Sequence, residues 1–172
     1  MSRMTYPEQL ARIRRFLDRL EKLSVNEELE LPTERQEEYE DMLYAFFQNC
    51  WHLKDWIRND ATAPSTLKDD IESHCKHYQS LMLCADVADG TKHLTFDKQK
   101  RTNKGHRPGG KIKPEIMIRF TESFATGEST SEGVRYQYRI TDNAGNSFDA
   151  LDLAKRAVSD WETLITTNGG TV

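Results

Sequence analysis

The sequence has few cysteines and no long apolar run, and both absences narrow its class. Its cysteines number three, an odd count, and they lie inside helical apolar patterns. This predicts buried free thiols in a reducing compartment and not a disulfide framework. No run of apolar residues is long enough to span a bilayer, and the first residues lack the apolar segment of a secretory signal. We therefore expect a cytoplasmic location and no membrane partner.

Signature motifs of common enzymes and metal sites are also missing. The chain has no GxSxG, P-loop, GxGxxG, HExxH or CxxC pattern. His74, Cys75, His77 and Cys84 carry ligand atoms, but they lack the paired spacing of zinc sites. We expect no metal and no cofactor here, and interpret this group as surface histidines around core cysteines.

Size and composition indicate one domain with a hydrophobic core. Of 172 residues, 37% are hydrophobic and 30% are charged, with a formal net charge of −4. Such a charge creates no overall cationic field that would attract nucleic acid or membrane.

Apolar residues recur at helical spacing through residues 5–93, which we interpret as a helical core. A first helix is predicted over 7–23, a second over 34–59, and a third from Ser65 or Thr66 to about residue 93. Two long helices joined by a short connection should pack antiparallel. The predicted buried face of the second helix is Tyr39, Leu43, Phe46, Phe47, Cys50, Leu53 and Ile57. That of the third is Leu67, Ile71, Tyr78, Leu81, Met82 and Ala85.

The C-terminal half predicts different elements. Residues 97–113 form a polar, basic loop, and the apolar period becomes two over 114–141, which predicts a β-hairpin. A last helix is predicted over 148–166. Its apolar positions are Leu153, Ala157, Trp161, Leu164 and Ile165. The predicted fold is α+β and mainly α: one domain, 1–172, in which an antiparallel helical bundle carries a β-hairpin and a C-terminal helix.

A polar group near the end of the third helix is a candidate catalytic site. If that helix reaches His93, then Asp86, Asp89 and His93 lie at i, i+3 and i+7 and share a face. A carboxylate can orient an imidazole for proton transfer. Alternatively Gly90 ends the helix, and Lys92 and His93 are cations favoured by the helix dipole. The second helix carries its own polar set, His52, Asp55 and Arg58. Even pairing of the antiparallel helices places His52 and Asp55 near position 72 and not near His93.

A basic segment is the candidate nucleic-acid-binding site. Between residues 98 and 113 the chain has seven basic residues and no acidic one, whereas acidic residues concentrate over 27–41. The predicted phosphate contacts are Lys92, Lys98, Lys100, Arg101, Lys104, Arg107, Lys111 and Lys113. The same composition is typical of a solvated loop or of a segment that meets an acidic protein, and it lacks the interleaved aromatics that stack on bases.

Aromatic residues offer another possible site. Trp51, Trp56, Tyr136 and Tyr138 could line a small-molecule pocket between hairpin and bundle. Aromatic residues at these periods are also typical of core packing.

The runs "FFQNCWHLKDWI" and "LCADVADGTKHL" resemble a bacterial and mobile-element family with a CWHLKDW…KH pattern. That family is distantly similar to the HEPN superfamily, and the similarity covers about residues 39–94. The resemblance implies a four- or five-helix up-and-down core, homodimers, and metal-independent RNA cleavage in toxin–antitoxin or phage-defence systems. The superfamily's active histidine would correspond to His93, and its arginine would fall at Asp86, Val87 or Ala88, none of which is arginine.

Two hypotheses follow. The first, favoured by the missing arginine, is a non-catalytic HEPN-like module that binds RNA, DNA or protein and dimerises. The alternative is a metal-independent RNA endonuclease in which His93 is the general acid or base and Asp86 or Asp89 orients it.

Overall fold

The structure is a computed structural model that describes residues 5–26, 33–92, 111–119, 133–142 and 145–172. Along the described residues, one helix and a short strand are followed by four helices, three strands and a last helix, a mainly helical α+β arrangement as predicted. The helices are α1 (Tyr6–Leu23), α2 (Thr33–Asn59), α3 (Ser65–Lys68), α4 (Ile71–Cys75), α5 (Gln79–Lys92) and α6 (Ala150–Thr167). The strands are β1 (Val25–Asn26), β2 (Lys111–Arg119), β3 (Gly133–Thr141) and β4 (Ser147–Asp149). Within the described ranges, no helix is long and apolar enough to cross a membrane.

The first helix begins where the sequence places its start signals. Pro7 occupies the first turn, where a missing N–H costs nothing. The carboxylate of Glu8 accepts a hydrogen bond from the backbone N–H of Thr5 at 2.6 Å, which satisfies a donor that lies outside the helical ladder.

The second helix is the centre of the core. All seven side chains predicted for its inner face are buried, each at 1% exposure or less. They pack with α1, α5 and α6 into one hydrophobic cluster. The predicted inner face of α6 is also buried, and the indole N–H of Trp161 donates to the backbone carbonyl of Cys50 at 3.0 Å.

The predicted third helix is wrong as a single element, because the chain forms α3, α4 and α5 instead. Turns at 69–70 and 76–78 separate these helices. At the second turn the bonds shorten to the i→i−3 type, as in Tyr78 N–H to Cys75 carbonyl at 3.0 Å. Leu67, Ile71 and Cys75 still reach the core, so the apolar pattern continues across the breaks and does not reveal them.

The end of α5 also differs from one of the alternatives above. The helix does not stop at Gly90 but continues to Lys92. A helical glycine costs about 1 kcal/mol relative to alanine, which the buried preceding turn with Cys84, Val87 and Ala88 can offset.

The strands pair as a hairpin with two short additions. In the antiparallel β2–β3 register, Ile116 and Ile118 stand opposite Tyr136 and Val134, as the predicted period of two requires. Ile112 stands opposite Ile140, so the pattern starts before the predicted boundary at 114. Strand β2 begins at Lys111, so the end of the predicted 97–113 loop is part of the sheet. On the other edge of β3 lie β1 and β4, neither of which the sequence predicts. Pro114 fits β2 because a strand at the sheet edge does not need every backbone donor.

The three cysteines are free and buried, as predicted. Cys50 lies on α2, Cys75 on α4 and Cys84 on α5. Burial raises the pKa of Cys75 to about 12.

Candidate functional site

The helix predicted to carry the polar face, α5, continues to the residue before His93. Asp86 and Asp89 are both partly exposed and lie one turn apart. Both have polar contacts within the chain. His93 itself falls outside the described residues, so its part in this site stays a prediction.

The predicted nucleic-acid-binding residues divide into two sets. Lys92 is the last residue of α5, and Lys111 and Lys113 open β2 opposite Thr141 and Arg139. The remaining five lie outside the described residues: Lys98, Lys100, Arg101, Lys104 and Arg107.

The helix pairing agrees with the prediction near the connection and departs from it farther away. Lys54 meets Glu72 at 3.1 Å, close to the expected partner of position 52. Even pairing would place position 74 opposite position 50, yet Cys50 contacts Cys84 at 3.7 Å, ten residues further along the chain. The extra residues are taken up by α4 and the turn that follows it. Asp86 and Asp89 therefore lie level with the middle of α2 and not with its start.

A charged arrangement around a nearly buried lysine lies at the C-terminal end of α2. We name it the Lys54 cluster, and it consists of Trp51, Lys54, Asp55, Arg58 and Glu72. The Lys54 side chain is only 11% exposed, and its ammonium group meets Asp55 at 3.2 Å and Glu72 at 3.1 Å. It also lies 4.8 Å from the centroid of the Trp51 ring. A buried ammonium needs such partners because desolvation without them costs several kcal/mol.

Glu72 joins two cations in this cluster. Its Oε1 accepts from Lys54 and also meets Arg58 Nη2 at 3.2 Å. The hydrogen bond from Lys54 lowers the pKa of Glu72 below its ordinary value, and the charges of Lys54 and Arg58 act in the same direction. Glu72 is therefore an anion at neutral pH and a poor proton donor.

Sequence reasoning singled out Asp55 and Arg58 but missed Lys54 and Glu72. A signal for Lys54 was available, since position 54 follows Phe47 by seven residues and Cys50 by four, which places it on the buried stripe. A lysine on such a stripe needs a buried or half-buried anion. The partner could not be found the same way, because Glu72 lies beyond the connection.

A surface cleft of about 500 Å³ adjoins the cluster through Asp55. Its lining residues come from the start of α1 and the end of α2: Thr5, Asp55, Trp56, Asn59, Asp60, Ala61 and Thr62. Asp60 is already engaged, because Oδ2 accepts from Tyr6 N–H at 2.9 Å and Oδ1 from Thr62 N–H at 2.8 Å. Although desolvation opposes the change, these hydrogen bonds lower the pKa of Asp60. The Asp60 carboxylate therefore serves to fix the loop to α1.

The predicted aromatic pocket does not form from these residues. Tyr138 packs on Tyr39 with ring centroids 4.9 Å apart, and its hydroxyl donates to the Gln36 carbonyl at 3.0 Å. Trp56 instead lines the cleft. Gln36 and Trp56 are separated by twenty residues of one helix, about 30 Å, so Tyr138 and Trp56 cannot share a pocket.

The histidines and cysteines considered as metal ligands differ in their burial and in their contacts. His74 Nε2 lies 3.2 Å from the Thr66 carbonyl, while Cys75 is buried and His77 is exposed. Among the residues that the structure describes, no group of three or more His, Cys, Asp or Glu could hold a metal ion.

By its fold and its charged cluster, this is a mainly helical α+β protein in which the cluster lies at one end of the central helix, α2. No protein-family model, curated protein or solved structure matches this chain. Its function is therefore inferred from its own residues.

Proposed function

We propose that this protein is a non-catalytic, HEPN-like module that binds nucleic acid in a bacterial mobile-element or phage-defence system. The observation that carries the proposal is the excess of positive charge over 98–113 together with its connection to the sheet. Two of its seven basic residues, Lys111 and Lys113, belong to β2. Because Lys111 and Lys113 belong to a paired strand, their backbone positions are fixed before a phosphate binds, which lowers the entropy cost of these two contacts.

The ionisable groups of the described part support binding more than catalysis. Glu72 and Asp60 owe their lowered pKa values to partners that hold the fold together. The thiols of Cys75 and Cys84 have raised pKa values, chiefly because they are desolvated. Such thiols are poor nucleophiles, because the thiolate is the reactive form.

The test is binding of labelled single-stranded RNA and DNA at several salt concentrations. If all seven basic residues contact phosphates, the slope of log K against log salt approaches about −5 for a single strand. The variant Lys98→Glu/Lys100→Glu/Arg101→Glu should lose most of the affinity. A matched control reverses three exposed cations elsewhere, Arg19, Lys76 and Arg156, and should bind nearly as the parent does.

Two outcomes would contradict the proposal. Equal losses in both triple variants would mean that net charge alone governs binding. Salt-insensitive affinity, with the segment instead retaining an acidic protein, would reassign the segment to protein recognition.

The alternative function is metal-independent RNA cleavage with His93. The continuation of α5 to Lys92 favours it, because Asp86 and Asp89 remain on a helix that reaches the residue before His93. RNA would be incubated with the protein in a chelator, and His93→Ala should abolish cleavage while Lys76→Ala leaves it intact. Cleavage by the His93→Ala variant at the parent's rate would eliminate this function.

We further propose that the module acts in the cytoplasm as a homodimer. Among the side chains whose burial the structure describes, which leave out 25–35, 90–92 and 111–136, Val172 is the large apolar one that is well exposed, at 47%. An interface formed by those side chains would be largely polar and sensitive to salt. Light scattering at low and high salt measures the mass directly, and a monomer under both conditions would eliminate the dimer without affecting the binding proposal.

A further inference from the structure

Two buried thiols of different helices touch in the core. The sulfur of Cys84 on α5 lies 3.7 Å from that of Cys50 on α2, and both side chains are fully buried. The two positions are 34 residues apart in the chain. The functions proposed above do not use them.

We propose that Cys50 and Cys84 are a latent disulfide that a peroxide closes, which would join α5 covalently to α2. The two sulfurs are 3.7 Å apart, and a disulfide has a sulfur–sulfur length of about 2.05 Å. The two atoms must therefore approach by roughly 1.6 Å to form the bond. Closure therefore requires both side chains to rotate and the two helices to approach each other. Once α5 packs on α2 again, the partner sulfur is held close by, so the second step of the reaction is effectively intramolecular.

The chemistry requires one molecule of hydrogen peroxide per cross-link. The thiolate of one cysteine attacks a peroxide oxygen, the O–O bond breaks, and a sulfenic acid and hydroxide form. The hydroxide takes up the proton that the thiol released and becomes water. The second sulfur attacks the sulfenic sulfur, the S–O bond breaks, and the hydroxyl leaves as water with the second thiol proton. Two thiols lose two electrons in total, and the peroxide is reduced to two waters.

The fold controls access to this reaction. Burial, and next the contact with Cys50, raise the pKa of Cys84 well above the ordinary value. The closed core therefore holds little thiolate and excludes the oxidant. We expect the cross-link to form from molecules in which α5 opens locally, for which the turn at 76–78 provides a boundary.

The cross-link would act on the polar face described above. Cys84 precedes Asp86 by two residues on α5, so a bond to α2 would hold that part of the helix in place. Closing a loop of 34 residues should raise the unfolding midpoint by about 10 °C.

The experiment treats the full-length reduced protein with hydrogen peroxide, without denaturant and in urea well below the unfolding midpoint. Remaining thiols are then alkylated, and peptides are identified by mass spectrometry without reduction. We expect a Cys50–Cys84 linked peptide, lighter than the two thiol peptides by two hydrogen atoms, that forms several-fold faster in mild urea. The Cys75→Ala variant is the matched control and should cross-link as the parent does, whereas Cys84→Ala should not.

Three results would overturn the proposal. One is full alkylation of Cys50 and Cys84 after peroxide treatment in mild urea. Another is a dominant cross-link through Cys75, the third buried thiol. The last is oxidation of Cys84 to sulfinic acid without a linked peptide, which would mean that the sulfurs cannot reach bonding distance. Thermal unfolding of each variant before oxidation verifies that it is folded.

Discussion

Helix α2 is buried in two different ways along its length. In its middle, Phe46, Phe47 and Cys50 are enclosed by apolar neighbours and by Trp161 of α6. One turn later Lys54 is nearly as buried, yet its neighbours are two carboxylates and the face of an indole. The same helix therefore passes from an apolar environment to a charged one within a few residues.

The two environments should respond differently when a side chain is substituted. Apolar contacts are many and each is weak, so a loss in the middle of α2 scales with the volume removed. The Lys54 cluster depends on a balance between desolvation and attraction, so removing one charge exposes the cost of the other. Four predictions test this contrast, beginning with the largest expected effect.

Trp161→Ala should destabilise the protein most. The variant removes the largest fully buried side chain in the described part of the chain, which leaves a cavity, and it removes a hydrogen bond to the Cys50 carbonyl. We expect a loss of about 3–5 kcal/mol in the free energy of unfolding, measured in urea. Trp161→Phe keeps much of the ring volume and should lose clearly less. A loss below about 1 kcal/mol for the alanine variant would mean that the core is not centred here.

Glu72→Gln should cost about 1–2 kcal/mol, because Lys54 then keeps one carboxylate partner while it remains buried. Lys54→Met removes the buried charge and should stay within about 1 kcal/mol of the parent in either direction. Urea unfolding of both variants measures the asymmetry. If Lys54→Met were the more damaging of the two, the cluster would be a net source of stability.

Acid should weaken the charged end of α2 and not its apolar middle. The folded-state pKa of Glu72 is lowered from 4.5, so its contribution is complete above that value and is lost as the pH falls through the lower folded-state pKa. The stability gap between the parent and Glu72→Gln should therefore narrow in acid. The stability difference between the parent and Trp161→Phe should not narrow in acid in this way, because neither side chain titrates. If the stability difference between the parent and Glu72→Gln stayed constant as the pH falls, the ionised carboxylate of Glu72 would not be the source of that difference.

The smallest effect is expected at an exposed ion pair. Lys22 and Asp18 meet at 2.7 Å one turn apart on α1, but both are more than half exposed. Lys22→Ala should change the free energy of unfolding by no more than about 0.5 kcal/mol. Compared with the loss for Lys22→Ala, the larger loss in the free energy of unfolding for Glu72→Gln measures how much the burial of Lys54 contributes. A larger loss for Lys22→Ala than for Glu72→Gln would reverse the expected order.

Periodicity predicted the apolar elements well, because burial and helical spacing act on the same residues. It predicted the inner faces of α2 and α6. It also predicted the apolar positions Ile116 and Ile118 of β2, which stand opposite Tyr136 and Val134. The turns at 69–70 and 76–78 were missed, since neither contains proline or glycine. Strands β1 and β4 were missed because two or three residues are too few to establish a period.

The candidate site was predicted less completely. Asp86 and Asp89 lie on α5 as expected, and Asp55 and Arg58 belong to the charged cluster. The buried lysine that organises that cluster was not predicted. Its partner Glu72 follows a connection whose path depends on how α3 and α4 pack against α2.

The sequence by itself determined which side chains leave water, because hydrophobicity and spacing are properties of each residue and its near neighbours. It determined in this way the buried stripe of α2, the three buried thiols and the alternation of the hairpin. The tertiary structure decided which groups meet: Lys54 with the exposed Glu72, Cys50 with Cys84, and Trp161 with the Cys50 carbonyl. These pairings depend on turn geometry and helix offset, which arise only when distant segments pack together.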